Sequence, residues 1–407
     1  MFFIVKRIII SYDGNFFLNR VADLVSDTVE ITLIQNFVPG RLTGWIIRLY
    51  DFLFSKKSYE NKLARKVRSK SVKSHSVTIN DIFRRLLQVL NVSNDVRETL
   101  GALSFGFLSR LWIKSEDVFH VRSGYGQGGA IKLARKRKMR IIVDHSIAHN
   151  KEMDSILRPE YLRHGLNVAM GSETHFWNIV EKDCNSADVL LVNSDYVKET
   201  FIAHGYPADK IRVIYLGVRE DWLEKKANYE LKDGVLKLLF VGGFGIRKGA
   251  EYILRALPLL EEKNVKYRID VIGGNQELKN IISKYDKKKR INFLGMVPYD
   301  RLINYYIAAD AFLFPSLCEG GTRAGMEAMG VGLPVIMTEN CGCPVVNERN
   351  GLIVPIKDER AIANAVEKLY SSISLREKLG KNASDLIKKE YTWERYKYNL
   401  ISLYSDC

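Results

Sequence analysis

Nowhere in this chain do about eighteen consecutive apolar residues occur, so no segment is expected to cross a bilayer as a helix. The apolar opening MFFIVKRIIISYDG is too short for a span and is interrupted by Lys6-Arg7, and it reads as a buried first strand. Cysteine is scarce and odd in number: Cys184, Cys318, Cys341, Cys343 and Cys407. That excludes a disulfide scaffold and suits a reducing, cytoplasmic interior. Cys341-Gly-Cys343 has no second Cys or His pair near it in sequence, so a four-ligand zinc set is missing and no metal is expected. Helix-turn-helix, zinc-finger and RNP signatures are also lacking, so nucleic acid is not an expected partner.

What is present begins with size and charge. A chain of 407 residues, 46% hydrophobic and 27% charged, has the make-up of a soluble protein of two or three domains. Its formal net charge of +15 calls for an acidic partner or surface. Much of that charge lies in residues 45–73, where Lys56, Lys57, Lys62, Arg65, Lys66, Arg68, Lys70 and Lys73 follow Trp45 to Tyr50 and Phe52 to Phe54. Apolar residues beside a basic run suit peripheral contact with anionic lipid headgroups, or an ordinary solvated helix or loop.

Strand-like and helix-like runs alternate, as in a parallel sheet covered on both faces. The first half reads as strand Arg7 to Ser11, helix Phe16 to Val25 and strand Val29 to Ile34. An irregular basic region follows over about 40 to 110, then strands Asp117 to Arg122, Arg140 to Asp144, Val189 to Asn193 and Ile211 to Gly217. Gly124 to Gly129 is not taken as a dinucleotide site and is expected to line an interdomain cleft. The polar stretch Gly217 to Gly234 reads as a linker, dividing an α/β domain 1–217 from a second, 218–392, with an amphipathic helix 393–407 after it.

The organising stretch is Phe314 to Pro334, FPSLCEGGTRAGMEAMGVGLP. A strand end breaks at Pro315, Glu319 precedes Gly320-Gly321, and Thr322 stands where it can cap a helix that Gly330 and Gly332 stop. The first N–H groups of such a helix bind anions. Glu319 on the turn and Glu327 further along bracket that anion site. Two acids around a phosphate-ready helix start suit a diphosphate between two hydroxyl-rich ends, as in a nucleotide-sugar. Asp144-His145-Ser146 stands at a strand's carboxyl end, where open α/β sheets place ligands.

The lead-in Pro315, Ser316, Glu319, Gly320 and the tail from Glu327 to Ile336 resemble the E-x7-E signature of glycosyltransferase family 4, retaining enzymes of GT-B fold. The likeness covers about Ile141 to Val218, with Asn193-Ser194, and Leu236 to Trp393, and is weak before residue 110. It implies two Rossmann-like domains facing across a cleft: an acceptor domain, a donor domain, and a tail helix crossing back onto the first. The expected reaction is transfer of a hexose-type sugar from a nucleoside-diphosphate sugar to a glycan or lipid-linked acceptor, in bacterial surface-polysaccharide synthesis. The acceptor would be met at the cytoplasmic membrane face. No cofactor or metal is implied.

By the same resemblance Glu319, with Gly320 and Gly321, would hold the donor sugar, and His145 would meet it from the opposite domain. Glu327 would bind the ribose, and Gly295, Met296 and Val297 the nucleobase. Lys248 and the N–H groups of Thr322, Arg323 and Ala324 would hold the diphosphate. The family's phosphate-binding Arg is replaced by Gly243 in Val241-Gly242-Gly243-Phe244-Gly245-Ile246-Arg247-Lys248-Gly249. Either Arg247 supplies the cation or the site works with one fewer. A GT-B nucleotide-sugar epimerase and a non-enzymatic basic membrane or RNA binder are the competing readings; sugar, base, linkage and oligomeric state are not written in the sequence.

Overall fold

A computed structural model describes residues 6–13, 17–36, 38, 67, 69–274 and 276–406. The chain builds two parallel sheets. The first unit runs β1 (Arg7–Ser11), α1 (Leu18–Val25), β2 (Glu30–Gln35), β3 (Lys73–Ser76), α2 (Thr78–Val89), α3 (Asn94–Ser109), β4 (Val118–Arg122), α4 (Ala130–Lys136) and β5 (Arg140–His145). It continues with α5 (Asn150–Arg163), α6 (His175–Asn185), β6 (Val189–Val192), α7 (Asp195–Ala203) and β7 (Ile211–Val213). The second runs β8 (Leu236–Val241), α8 (Ala250–Glu262), β9 (Tyr267–Ile272), α9 (Lys279–Tyr285), β10 (Ile291–Gly295), α10 (Tyr299–Ala308) and β11 (Ala311–Phe314). Then come α11 (Arg323–Val331), β12 (Val335–Met337), β13 (Leu352–Ile353), α12 (Glu359–Ser371), α13 (Ile373–Glu390) and α14 (Trp393–Ser405).

Strand order is β3-β2-β1-β4-β5-β6-β7 in one sheet and β10-β9-β8-β11-β12-β13 in the other. Each is doubly wound, reversing direction beside its first strand, and such a reversal opens a crevice at the carboxyl ends of the strands. This is the GT-B architecture.

Side chains alternate across the pleat, and each face of the first sheet has its own cover. Ile8 and Ile10 point to one side, with Leu18, Val21, Leu400 and Tyr404. Ile9, Phe119 and Val121 point to the other, with Phe105, Ala134 and Val180. Helix α14 therefore forms part of the first sheet's roof. Its Tyr404 hydroxyl is 2.7 Å from His120 Nδ1, and Arg20 lies 4.1 Å over the Trp393 ring.

Residues 73–109 correct the sequence reading. The stretch taken as irregular carries β3 and the helices α2 and α3. Most of the basic apolar segment 45–73 lies outside the described residues. Ile211 to Gly217 is strand only as far as Val213. Nor is 217–234 a loose tether: Trp222 is buried and stacks 5.0 Å from Tyr299, and Tyr229 donates to Gly332 O at 2.8 Å.

Candidate active site

The site grows from the carboxyl ends of β8 and β11. Gly249 has φ +67, and a Cβ there would sit 1.9 Å from Pro315 O, so only glycine lets the loop after β8 close on the end of β11. That contact lays Arg247 and Lys248 over the turn at Glu319. Arg247 Nη1 donates to Glu319 Oε1 at 2.6 Å and to Cys318 O at 3.0 Å. Lys248 Nζ donates to the same Oε1, and Ser316 Oγ reaches it at 3.2 Å. Burial holds the Lys248 ammonium below its usual range, and the Glu319 charge works against that drop.

The glutamate turn is pinned by its backbone: Glu319 N–H donates to Asn340 O at 3.0 Å and Thr322 N–H to Cys341 O at 2.9 Å. The second bond corrects an expectation, since the Thr322 N–H is spent inside the fold and is not available to a phosphate. Thr322 occupies the N-cap position of α11, yet its side chain makes no capping bond. Among the described residues no acceptor meets the N–H groups of Arg323 and Ala324, and these point the helix's positive end outward. The Arg323 guanidinium turns back to Glu327 at 3.4 Å and lies 5.2 Å over the Tyr299 ring.

Glu327 is buried, with Oε1 accepting from Tyr299 at 2.8 Å and Oε2 from Tyr306 at 3.2 Å. Burial pushes its carboxyl above the ordinary range, and Arg323 and the two hydroxyls partly offset that. The two signature acids thus have different surroundings: Glu319 lies among cations, Glu327 among phenols.

The first domain closes directly on this turn. A Cβ on Gly320 would lie 1.9 Å from Ser146 O, and one on Gly321 would lie 3.0 Å from Asn193 O. Ala148 N–H donates to Glu319 O at 3.3 Å, and Ser194 Oγ donates to Gly320 O. Arg122 steadies this edge by pairing with Asp144 and donating to Ser146 Oγ at 2.6 Å.

His145 is buried behind that loop. Its Nδ1 is 2.8 Å from Ser123 Oγ, its ring packs on Phe201 and Trp177, and its buried Nε2 has no partner among the described residues. Burial lowers its pKa to about 3, so the ring is neutral. It touches neither Glu319 nor Lys248 here. His149 stacks on His204 at 4.4 Å and does not join Asp144.

Between the domains lies a cavity of about 310 Å3, lined by Tyr161, Gly243, Phe244, Gly245, Arg247, Lys248, Gly274 and Glu277. Sequence reasoning missed Tyr161 and Glu277. Glu277 Oε2 accepts the Ile246 N–H at 2.8 Å and so holds the loop that carries Arg247. Its position just past the glycine pair ending β9 was the available signal. The turn Gly295 to Val297 stands at the same end of the sheet, with Gly295 accepting Gly273 N–H at 2.9 Å and Met296 exposed. Gly124 to Gly129, expected at the cleft, is instead anchored within the first domain. Gly124 and Gly126 N–H both donate to Asp183 Oδ2 at 2.8 Å, and Gly128 presses on α3.

Two family models match the chain: Glycosyltransferase Family 4 over residues 79–222 and Glycosyl transferases group 1 over 222–386. The chain belongs to glycosyltransferase family 4. Among curated relatives, the uncharacterized glycosyltransferase MJ1607 of Methanocaldococcus jannaschii is 30% identical, over 54% of this chain and 60% of its own. The amylovoran biosynthesis glycosyltransferase AmsK of Erwinia amylovora is 29% identical, over 61% of this chain and 60% of its own. This family 4 chain therefore spans about three-fifths of the length of each. The Anabaena protein Alr3699/HepE, solved in complex with UDP, shares the fold with a TM-score of 0.65 at 15% identity, covering 98% of this chain and all of that one.

Proposed function

We propose that this protein transfers a hexose-type sugar from a nucleoside-diphosphate sugar to a glycan or lipid-linked acceptor, with retention of configuration, in building a bacterial surface polysaccharide. The observation that carries the reading is the meeting of Arg247 and Lys248 on Glu319, beside a cleft cavity and under the free N–H groups of α11. Two cations sharing one carboxylate oxygen are a ready receptor for a group with more charge. A diphosphate displaces Glu319 from them, and the freed carboxylate turns to the sugar hydroxyls. As the glycosidic bond lengthens, charge grows on the leaving diphosphate, and Lys248, Arg247 and the α11 dipole stabilise it more than they do the ground state. No metal is needed for that step.

Glu327 is assigned to the ribose, with Tyr299 and Tyr306 setting its orientation, and Gly295, Met296 and Val297 to the base. His145, neutral and with an unclaimed Nε2, is assigned to the sugar from the first domain, once the Ser146 loop lifts from Gly320. The polysaccharide context is supported by the name of AmsK, and the nucleotide by the UDP held in HepE. A lipid-linked acceptor would be met at the cytoplasmic membrane face; no helix among the described residues is long and apolar enough to cross a membrane.

Thermal-shift screening against uridine, guanosine and adenosine diphosphate sugars tests the donor, because a ligand of the native state raises the melting point by mass action. The anomeric configuration of the product tests retention. A donor incubated alone that yields its epimer would make the enzyme an epimerase, and no shift with any nucleoside diphosphate would sink both readings.

A further inference from the structure

We propose that the hairpin of α2 and α3 docks the protein on an anionic bilayer surface. Helix α2 meets its domain through a mixed inner face: Leu87 is buried, Asn80 Nδ2 donates to Asp13 Oδ2 at 3.1 Å, and Arg84 pairs with Asp13 at 3.2 Å and Glu98 at 2.8 Å. Its outer face is apolar, with Ile79, Ile82, Leu86 and Val89 all exposed, Ile79 by 66% and Val89 by 77%. Their spacing of three, four and three residues is one stripe of a helix. Phe107 on α3 and Leu111 just past its end are exposed as well, the latter by 70%.

Single exposed apolar side chains need no explanation, but an aligned row of them marks a covered surface. Charge identifies the cover. The exposed charges on and beside the hairpin are basic: Arg85, Arg110 over the Phe107 ring, and Lys114. Its carboxylates, Asp81, Asp95 and Glu98, are half-buried. Two copies meeting through this face would set like charges together, whereas anionic headgroups neutralise them while the stripe enters the acyl boundary.

The test is co-sedimentation of the full chain with vesicles of phosphatidylcholine alone, and of phosphatidylcholine with about a quarter phosphatidylglycerol. Binding is expected only to the second. The double variant Leu86→Glu/Val89→Glu, which alters exposed positions, should lower that binding by about tenfold or more. A milder Leu86→Ser/Val89→Ser pair with an unchanged melting point should give a smaller loss and guards against misfolding. Three results would overturn the proposal: no binding by the wild type, equal binding by both variants, or a dimer in light scattering that the variants abolish.

Discussion

Glu319 Oε1 accepts a hydrogen bond from Arg247 Nη1 at 2.6 Å, although the two residues come from the ends of different strands. With Lys248 on the same oxygen, the carboxylate fills the place a diphosphate is proposed to take. Glu319→Ala is therefore expected to abolish sugar transfer while keeping or tightening nucleoside-diphosphate binding, because the competitor for both cations is gone. Lys248→Ala should lose both. Calorimetric titration beside a transfer assay separates the two patterns, and loss of nucleotide affinity in Glu319→Ala contradicts the exchange. The alanine also leaves the mostly buried Lys248 unpaired, which costs about 3 kcal/mol of stability.

The domains are joined by a second charged contact on the side of α5. Met153, Ile156 and Leu157 belong to the same apolar cluster as the second sheet. The next turns of that face bring Arg163 to Glu251 at 2.7 and 2.9 Å, His164 to Glu251 at 2.6 Å, and Glu160 to Tyr252 and Lys357. Glu251→Gln removes the charge that Arg163, His164 and Arg255 share. The expected result is a larger radius of gyration in small-angle scattering and a fall in turnover of roughly tenfold, with donor affinity little changed. A variant with unaltered scattering and turnover would show that the contact does not set the cleft.

Much of this architecture was readable from one chain. Strands buried on both faces write themselves as apolar runs, so the parallel sheets could be seen from Ile8 to Ile10 and from Leu238 to Phe240. The helices α2 and α3 were lost because basic residues upstream coloured the whole region, although Ile79, Ile82, Leu86 and Val89 held helical spacing. The glutamate turn announced itself through Glu319, Gly320 and Gly321. Its electrostatics did not, since Arg247 and Glu319 are brought together by the sheet across 72 positions. Tyr161 was silent for the same reason: cavity walls are assembled by topology, and a tyrosine on a helix is not distinctive in sequence.

His145 makes stability depend on pH. Its folded pKa of about 3 lies below the ordinary 6.5, because the buried ring resists a charge and Arg122 repels one. Between those values the unfolded chain binds the proton and the folded one does not. Stability is thus whole above pH 6.5 and declines on acidification towards the folded value. Over the 2.5 units from pH 6.5 to pH 4 this group alone removes ~3.5 kcal/mol, at ~1.4 kcal/mol per unit. Urea unfolding at pH 7 and pH 4.5 should show the loss, and His145→Gln should flatten it. An unchanged slope in that variant would place the titration elsewhere.

Gly243 offers the sharpest test of how the site manages without an arginine at that position. It lines the cavity, a Cβ built there meets nothing within 4 Å, and its backbone is not in the left-handed region, so a side chain fits. If Arg247 is the stand-in, Arg247→Ala should weaken nucleoside-diphosphate binding by about 1.5 to 3 kcal/mol, the worth of a charge-assisted hydrogen bond. Gly243→Arg added to it should restore most of that loss from the other side of the same cavity, while Gly243→Lys, lacking the planar fork, should restore less. Titration calorimetry with a nucleoside diphosphate reads all three variants. Undiminished affinity in Arg247→Ala would mean that Lys248 and the α11 N–H groups hold the diphosphate with one cation fewer.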